Sequence, residues 1–394
     1  MSEKVRILYV TTALHAPVHG GCMIRTTNIC RQLKKYADLT MLGVSSNFVP
    51  EAVRFCEREF QPFYKVDIRH YSSYPHYIGR FLVKWNMHNP FGRGFRASDD
   101  KQKLFQELVS RHDIVWFHTL GAAHPFKSWK FPKSVMDLDD LRNHFYDQYA
   151  NTVDNFRFKC SAKVQAFKWR KHQNEALEKF DRVIVCSEDD KDDLTRDDKV
   201  RVIPNGYVAP PTEPQWIPPA PNRIGFIGLL HYDPNRDGLI WFRDKVWPLI
   251  RKHNPDVTLR VIGQLPTPGN HVQAEGFEYL GYLPDTAEEM KTWSSLVVPI
   301  TYGGGTRIKI LDAFSKKIPV VATSIGAHGI NAQNGKQMLL SDDPEGFAAH
   351  CIELLKNHEK ARALACEAWT LFSETYSWDV IGDSLKKIID ECMR

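Results

Sequence analysis

Three consecutive glycines followed by a threonine and two basic residues form the part of this sequence best suited to chemistry. The run consists of Gly303, Gly304, Gly305, Thr306, Arg307, Ile308 and Lys309. Glycines tolerate positive φ and allow a ligand to approach the backbone closely. If Thr306 caps a helix, the free amides, the positive helix end and the two cations converge on one point. The spacing therefore predicts a diphosphate site at the start of that helix.

Asp312 lies further along the same predicted helix. Its carboxylate can accept hydrogen bonds from a ribose diol, which would complete a site for a nucleoside diphosphate. The alternative is a plain glycine turn followed by a solvated Lys309–Asp312 ion pair at i,i+3 spacing.

His118 and an Asp-x-Asp pair follow two apolar runs in the first half of the chain. His118 comes directly after Ile114–Phe117, at the carboxyl end of a predicted parallel strand, where ligands bind in open α/β sheets. A histidine held in the core or by a loop carbonyl explains it equally well. Asp137 and Asp139 have the spacing of a metal-binding pair, but they are remote in sequence from the diphosphate segment. We therefore expect acceptor contact or helix capping from them, and no metal site.

The remaining sequence indicates the elements that position these residues. Short apolar runs alternate with helical patterns along both halves of the chain, which is typical of doubly wound parallel sheets. Between residues 210 and 221, six of twelve residues are proline, so we expect a stiff connector. The sequence predicts an α/β protein with two Rossmann-like domains facing a cleft: 1–209, a linker at 210–221, and 222–376. A final helix at 377–394 either packs on the second domain or returns to the first.

The composition is that of an ordinary globular protein. Of 394 residues, 43% are hydrophobic and 25% are charged, which excludes a wholly disordered chain. The formal net charge of +5 is too small to indicate a nucleic-acid partner. No apolar run approaches the ~20 residues that span a bilayer, and the first residues do not form a secretory signal. The eight cysteines form no C-x-x-C pair, so we expect free thiols and a cytoplasmic location.

Several motifs resemble those of the group 1 glycosyltransferases of family 4. The main one is the segment 303–313, with Pro-Val-Val-Ala-Thr at 319–323 and Gly-Ala-His-Gly at 326–329. Others are Val-Ile-Pro-Asn-Gly at 202–206, Phe-Ile-Gly at 226–228, Asp-Pro-Asn at 233–235 and a glycine loop at Gly20-Gly21. The resemblance implies the GT-B fold. It also implies retaining transfer of a sugar from a nucleotide-sugar donor, with no metal or organic cofactor.

The resemblance also implies roles for individual residues. His118, Arg307 and Lys309 are expected to be catalytic, with the two cations stabilising the leaving diphosphate. The expected donor-binding residues are Gly20, Gly21, Gly303, Gly304, Gly305, Thr306, Ile308, Asp312, Tyr282 and Leu283.

The sequence also departs from the family pattern. Of two glutamates that the family places eight positions apart, the first is Gly304 here and the second is the shorter Asp312. Leu229 stands where the family has an arginine, so Arg307 and Lys309 would supply the charge. A sugar-nucleotide epimerase and an inactive GT-B scaffold remain as alternatives. An NAD-dependent oxidoreductase is disfavoured because no G-x-G-x-x-G follows a predicted strand.

A basic, aromatic segment bears on the acceptor. The resemblance implies assembly of bacterial surface polysaccharide on a glycan or lipid-linked acceptor. Phe156–Lys171 contains six basic residues, four large aromatics and no acidic residue, and Tyr74–Arg96 has a similar character. Such a helix either lies on an anionic membrane, here the inner face of the plasma membrane, or forms an ordinary solvated face.

Overall fold

The chain forms two compact units. A computed structural model describes residues 4–14, 21–70, 95–126, 131, 133–194, 198–263 and 272–394. The first unit comprises Met1–Asn205 together with Ile381–Arg394, and the second comprises Gly206–Val380.

The first unit is built on an eight-stranded sheet. Its strands are β1 (Val5–Thr11), β2 (Ala37–Ser45), β3 (Phe63–His70), β4 (Phe95–Ala97), β5 (Ile114–His118), β6 (Ser134–Asp137), β7 (Arg182–Val185) and β8 (Val200–Val202). Its helices are α1 (Gly21–Tyr36), α2 (Pro50–Glu59), α3 (Asp99–Ser110), α4 (Leu120–Ala123), α5 (Arg142–Thr152), α6 (Phe156–Lys179) and α7 (Glu188–Leu194). The order is β4-β3-β2-β1-β5-β6-β7-β8, and only the β3–β4 pair is antiparallel among the described strands.

The second unit carries a six-stranded parallel sheet. Its strands are β9 (Arg223–Ile227), β10 (Thr258–Ile262), β11 (Phe277–Gly281), β12 (Leu296–Val298), β13 (Val320–Ala322) and β14 (Leu339–Leu340), in the order β11-β10-β9-β12-β13-β14. Its helices are α8 (Asp233–Trp241), α9 (Trp247–His253), α10 (Ala287–Met290), α11 (Ile308–Ser315), α12 (Pro344–Lys356) and α13 (His358–Leu371). Two π-helical turns, at Phe242–Val246 and Phe372–Tyr376, interrupt the helical runs.

The strand order reverses once in each sheet, so the predicted α/β class with two doubly wound sheets is confirmed. In the first unit the reversal lies between β1 and β5, and in the second between β9 and β12. Ligands of open α/β sheets bind outside the carboxyl ends of the strands at such a point. His118 is the last residue of β5, and the glycine run follows β12. The topology thus brings both predicted sites to switch points.

The last helix, α14 (Trp378–Met393), begins in the second unit and continues in the first. Glu391 near its end pairs with Arg182 at 3.1 Å and Arg201 at 2.9 Å, both in the first unit. Its residues from 381 onward are therefore counted with the first unit.

The proline-rich segment 210–221 contains no helix or strand and is counted with the second unit. Trp216 packs against the core of that unit, and the Ala220 amide donates to the Thr292 carbonyl at 3.1 Å. Glu213 pairs with Lys317. These contacts fix the segment to the second unit, whereas the division between units falls at 205/206.

Candidate functional site

The glycine run after β12 forms a loop held by an arginine. Gly303 and Gly305 have φ values of 131° and 76°, which favour glycine. The Arg307 guanidinium donates to the carbonyls of Gly303 at 2.9 Å, Gly305 at 2.7 Å and Gly304. The Arg307 side chain therefore stabilises the conformation of the loop through its carbonyls.

The prediction that Thr306 caps the following helix is wrong. Helix α11 begins at Ile308, with Arg307 at its N-cap position and no side-chain cap hydrogen bond. Gly303 and Gly305 have positive φ values, which an α-helix does not contain, so the helix begins only after the loop and Arg307 is its N-cap residue. The Thr306 hydroxyl is instead buried without a hydrogen-bond partner among the described residues. It faces Gly329, where a Cβ would come within 2.8 Å of the hydroxyl oxygen.

Lys309 lies at the switch point of the second sheet, close to the end of β9. Its ammonium donates to Asn235 Oδ1 at 2.9 Å and lies 4.9 Å from the centre of the Phe226 ring. At Gly228, directly after β9, a Cβ would stand 3.1 Å from Lys309 Nζ and 2.9 Å from the Asn235 amide. The absence of a side chain at Gly228 therefore leaves room for the amine and the amide to meet.

The charge of Lys309 has no anionic partner in the described part of the chain. Its sole hydrogen-bond acceptor there is the neutral Asn235 amide. Burial and the neighbouring Arg307 guanidinium lower the pKa of Lys309 to about 7. A buried amine without a counter-ion is costly for the protein alone. A bound anion would supply the missing charge.

Asp312 does not pair with Lys309. Its carboxylate contacts the Lys316 ammonium one turn along α11, and the same ammonium lies 5.3 Å from the centre of the Tyr207 ring. Burial lowers the pKa of Lys316 to about 8. The predicted alternative of a Lys309–Asp312 pair is therefore wrong, because each residue has a different partner.

The remaining donor-binding candidates lie on different elements. Ile308 is the first residue of α11, and Gly21 is the first residue of α1 and is exposed. Tyr282 follows β11 with 56% of its surface exposed, while Leu283 packs against the core of the second unit. Gly20 lies outside the described residues.

A buried polar cluster surrounds His118 in the first unit. The Arg25 guanidinium is fully buried and donates to both carboxylate oxygens of Asp137, at 3.0 Å each, and to the Ile203 carbonyl at 2.9 Å. A buried ion pair of this kind is costly to break from one side. Asp137 thus serves the fold through Arg25, and the fully buried pair fixes α1 to the sheet.

His118 is itself fully buried. Its Nδ1 lies 3.0 Å from the Thr26 hydroxyl and 3.3 Å from the Thr11 hydroxyl. Its Nε2 stands 3.8 Å from an Asp139 carboxylate oxygen and has no hydrogen-bond partner among the described residues. Burial raises the pKa of Asp139, but the nearby His118 and Arg25 outweigh it and hold the pKa below its usual range.

Residues 221–357 match the Glycosyl transferases group 1 family. The resemblance expected from the motifs is confirmed over these residues, which include the glycine loop, Lys309 and Asp312. An uncharacterized 44.6 kDa protein of the cps region of Klebsiella pneumoniae is 29% identical over 175 residues. That match spans 41% of this chain and 44% of the relative, less than half of either.

Solved structures show the fold over almost the whole chain. A glycosyltransferase from Rickettsia africae has a TM-score of 0.67 at 14% identity and 100% coverage of both chains. Sucrose-phosphate synthase from Thermosynechococcus elongatus has a TM-score of 0.70 at 13% identity and 99% coverage of both. Anabaena HepE in complex with UDP has a TM-score of 0.66 at 14% identity, covering 98% of this chain and all of that one. The predicted GT-B fold is therefore confirmed.

The basic, aromatic segment 156–171 lies in α6 and is only partly exposed. Phe156, Phe158 and Phe167 are exposed at 77%, 57% and 54%. Lys168 and Trp169 are buried, so not every cation and aromatic of the segment faces outward. Helical periodicity turns these two positions toward the core. Most of Tyr74–Arg96 lies outside the described residues, and no described helix is long and apolar enough to cross a membrane.

Sequence reasoning did not assign roles to several residues of the two sites. Gly228 and Asn235 lie in the Phe-Ile-Gly and Asp-Pro-Asn motifs, so these motifs could have marked both residues as part of the site. Lys316 carries no such signal, because only the register of α11 brings its ammonium to Asp312. Cys22 carries none either, because only tertiary packing brings its sulfur within 4.8 Å of a ring nitrogen of His118.

Proposed function

We propose that the chain is a retaining glycosyltransferase that moves a sugar, of hexosyl type, from a nucleoside-diphosphate donor to an acceptor. The observation that carries the proposal is Lys309, a partly buried lysine at the switch point of the second sheet whose ammonium has no anionic partner among the described residues. The family match over 221–357 supports transferase chemistry at that place. UDP in the structure of the HepE neighbour favours a uridine donor as the first to test.

In this proposal the second unit stabilises the leaving diphosphate. Lys309, the glycine-loop amides and the Thr306 hydroxyl contact phosphate oxygens, while Arg307 holds the loop open and supplies long-range positive charge. Donors fixed in place before the reaction stabilise developing negative charge without reorganising. Asp312 would accept hydrogen bonds from the ribose diol, with Lys316 holding its carboxylate in place.

The acceptor reaction would follow from the same charge. The bond between the anomeric carbon and the phosphate oxygen breaks, and that oxygen accepts the proton of the acceptor hydroxyl. The acceptor oxygen then bonds to the anomeric carbon on the same face of the sugar, so the anomeric configuration is retained. This route uses no protein nucleophile, and we propose that it proceeds without a metal or organic cofactor. His118 would contact the donor sugar.

The relative from a cps region supports surface-polysaccharide assembly, with a glycan or a lipid-linked acceptor. We propose a cytoplasmic protein that meets its acceptor at the inner face of the plasma membrane through α6. Phe156, Lys163 and Phe167 recur at spacings of seven and four residues, which places them on one face of the helix. Aromatics and lysines on one face suit an anionic interface.

The donor site is tested by a thermal-shift series with UDP, GDP and NAD, followed by an assay for UDP or GDP release from nucleotide sugars. We expect one nucleoside diphosphate to raise the melting temperature, because it binds only the folded state, and its sugar adduct to be cleaved. Lys309→Met should reduce the shift, whereas Lys336→Met, at an exposed lysine of the same unit, should keep it. Nucleotide binding with no release would favour the scaffold, and a sugar-nucleotide isomer as product would favour the epimerase.

The membrane proposal is tested by flotation with vesicles of increasing anionic lipid content. Wild type should float with anionic vesicles at low salt and detach as salt screens the attraction. Phe156→Ser/Lys163→Gln/Phe167→Ser should remain in solution, whereas Arg170→Gln should still float, since Arg170 is already paired with Asp147 at 2.7 Å. Wild type that stays soluble on anionic vesicles would refute the proposal.

A further inference from the structure

We propose that Cys22, His118 and Asp139 form a binding site for one divalent transition-metal ion of the zinc class. The Cys22 sulfur, a ring nitrogen of His118 and a carboxylate oxygen of Asp139 all lie within 4.8 Å of one another. They come from α1, the end of β5 and the loop after β6, three segments that the sheet topology of the first unit brings together. The inference goes beyond the proposed transfer reaction, which needs no metal.

The separations suit ligands of one ion. Zinc binds histidine nitrogen at about 2.0–2.1 Å and carboxylate oxygen at about 2.0–2.2 Å. At a tetrahedral angle those two atoms stand about 3.4 Å apart. His118 Nε2 and Asp139 Oδ2 stand 3.8 Å apart, too far for a hydrogen bond but close to the separation of two zinc ligands. A small side-chain adjustment would bring both into range.

An independent observation points to a ligand at Nε2. His118 is fully buried, and this nitrogen has no hydrogen-bond partner among the described residues. A buried polar atom is usually satisfied. The opposite nitrogen, Nδ1, faces the hydroxyls of Thr26 and Thr11 at 3.0 and 3.3 Å. Hydrogen bonds at one ring nitrogen orient the other toward a metal, as in many metal sites.

The local charge also favours a cation. Asp137 already neutralises the buried Arg25 through hydrogen bonds to both carboxylate oxygens. Asp139 adds a second buried carboxylate, and its nearest Arg25 atom is 3.7 Å away. The uncharged Cys186 thiol and Asn205 amide also donate to its carboxylate, at 3.2 and 3.4 Å. The cluster therefore has one more buried carboxylate than it has guanidinium groups, and a cation would stabilise it. Cys22 lies on the exposed first turn of α1, so an ion can reach the site from solvent.

The donor set selects the ion. Thiolate and imidazole favour zinc-class ions over magnesium or calcium, which take oxygen ligands. Three protein ligands leave a further position open, as in sites that also bind a small ligand. If His118 contacts the donor sugar, as the proposed function holds, an ion on Nε2 would block that contact. Zinc would then inhibit transfer, and a chelator would restore it.

The test uses the reduced, chelator-treated, full-length protein and Co²⁺ as a spectroscopic probe. Wild type should bind one equivalent and show the absorption of a thiolate–cobalt bond, which Zn²⁺ then displaces. Cys22→Ser should lose the thiolate band. Asp139→Asn should weaken Co²⁺ binding by more than the roughly 10–100-fold that is typical when a residue supporting a metal ligand is changed. Cys160→Ser, at another exposed thiol of the same unit, should match wild type.

Circular dichroism of each variant shows whether it folds, and UDP binding measured separately reports on the proposed transferase site. Co²⁺ without a thiolate band in wild type would overturn the metal site. A band that survives Cys22→Ser would do the same. Either result leaves the transferase proposal standing, because that proposal depends on Lys309 in the second unit.

Discussion

Replacing Lys309 by methionine tests whether this amine is held for an anion. The pKa of Lys309 is about 7, against 10.5 for an ordinary lysine, because the amine is buried beside Arg307. That difference in pKa means that the charged form of Lys309 is less stable in the folded chain than in water, by at most about 5 kcal/mol. Methionine fills a similar volume without a charge. At pH 6.5 we therefore expect Lys309→Met to raise the free energy of unfolding.

The sign of the pH dependence follows from proton linkage. Below pH 7 both the folded and the unfolded chain carry the proton, and the folded state bears the full cost of the buried charge. Between about 7 and 10.5 the unfolded chain holds more protons, so the free energy of unfolding of wild type rises with pH. The stabilisation by methionine should shrink over the same range. Urea melts at several pH values measure it.

Nucleotide binding should show the opposite trend. A diphosphate favours the charged amine, so the affinity of wild type for UDP should fall as pH rises above about 7. Between pH 7.5 and 9, where the phosphates are already ionised, the expected loss is about 25-fold. Lys309→Met should bind more weakly by about 1–3 kcal/mol. It should also lack most of the pH-dependent loss.

Titration calorimetry of wild type, Lys309→Met and Lys309→Arg provides the assay. Burial lowers the pKa of Lys316 to about 8, within the same range. Lys316 is present in all three proteins, so the comparison between them isolates Lys309. Arginine keeps its charge across this range and should give a flatter profile. The reasoning would be refuted if the UDP affinity of wild type and of Lys309→Met changed equally with pH. It would also be refuted if wild type were more stable than Lys309→Met at pH 6.5.

Four further outcomes are expected. Arg307→Ala should weaken UDP binding by about 1–3 kcal/mol, because the carbonyls of the glycine loop lose the donor that holds them in place; unchanged calorimetric affinity would remove it from the site. Asp312→Asn should weaken UDP while sparing pyrophosphate, and equal losses for both would exclude a ribose contact. Donor should bring the two units together, so X-ray scattering profiles that superimpose with and without nucleotide would contradict closure. Arg25→Met should lower the free energy of unfolding by about 3–5 kcal/mol because it strands Asp137 in the core, and Arg25→Met/Asp137→Leu should recover much of the loss.

The fold class and the position of the glycine loop follow from local patterns in the sequence. Apolar runs and helical periodicity are local properties of the sequence. They predict strands and helices unless tertiary packing overrides the local preference. The alternation of the two then requires parallel sheets with crossovers. The glycine run could be placed after a buried strand for the same reason, and the family match over 221–357 agrees with it.

The partner that each charged side chain takes depends on tertiary packing and could not be predicted from the sequence. Lys309 turns to Asn235, 74 positions away, whereas Asp312 turns to Lys316. The packing of α11 on β12 and β13 sets both directions. Sequence spacing left a Lys309–Asp312 pair as the alternative, since it counts only neighbours on one helix.

The same limit applies in the first unit. His118 could be placed at a strand end from sequence, but its meeting with Cys22 and Asp139 depends on how α1 packs on the sheet. Lys168 and Trp169 are buried because one face of α6 must cover the core, which a count of charges and aromatics does not reveal. Local patterns fix elements, whereas the burial and pairing of side chains depend on contacts between residues distant in sequence.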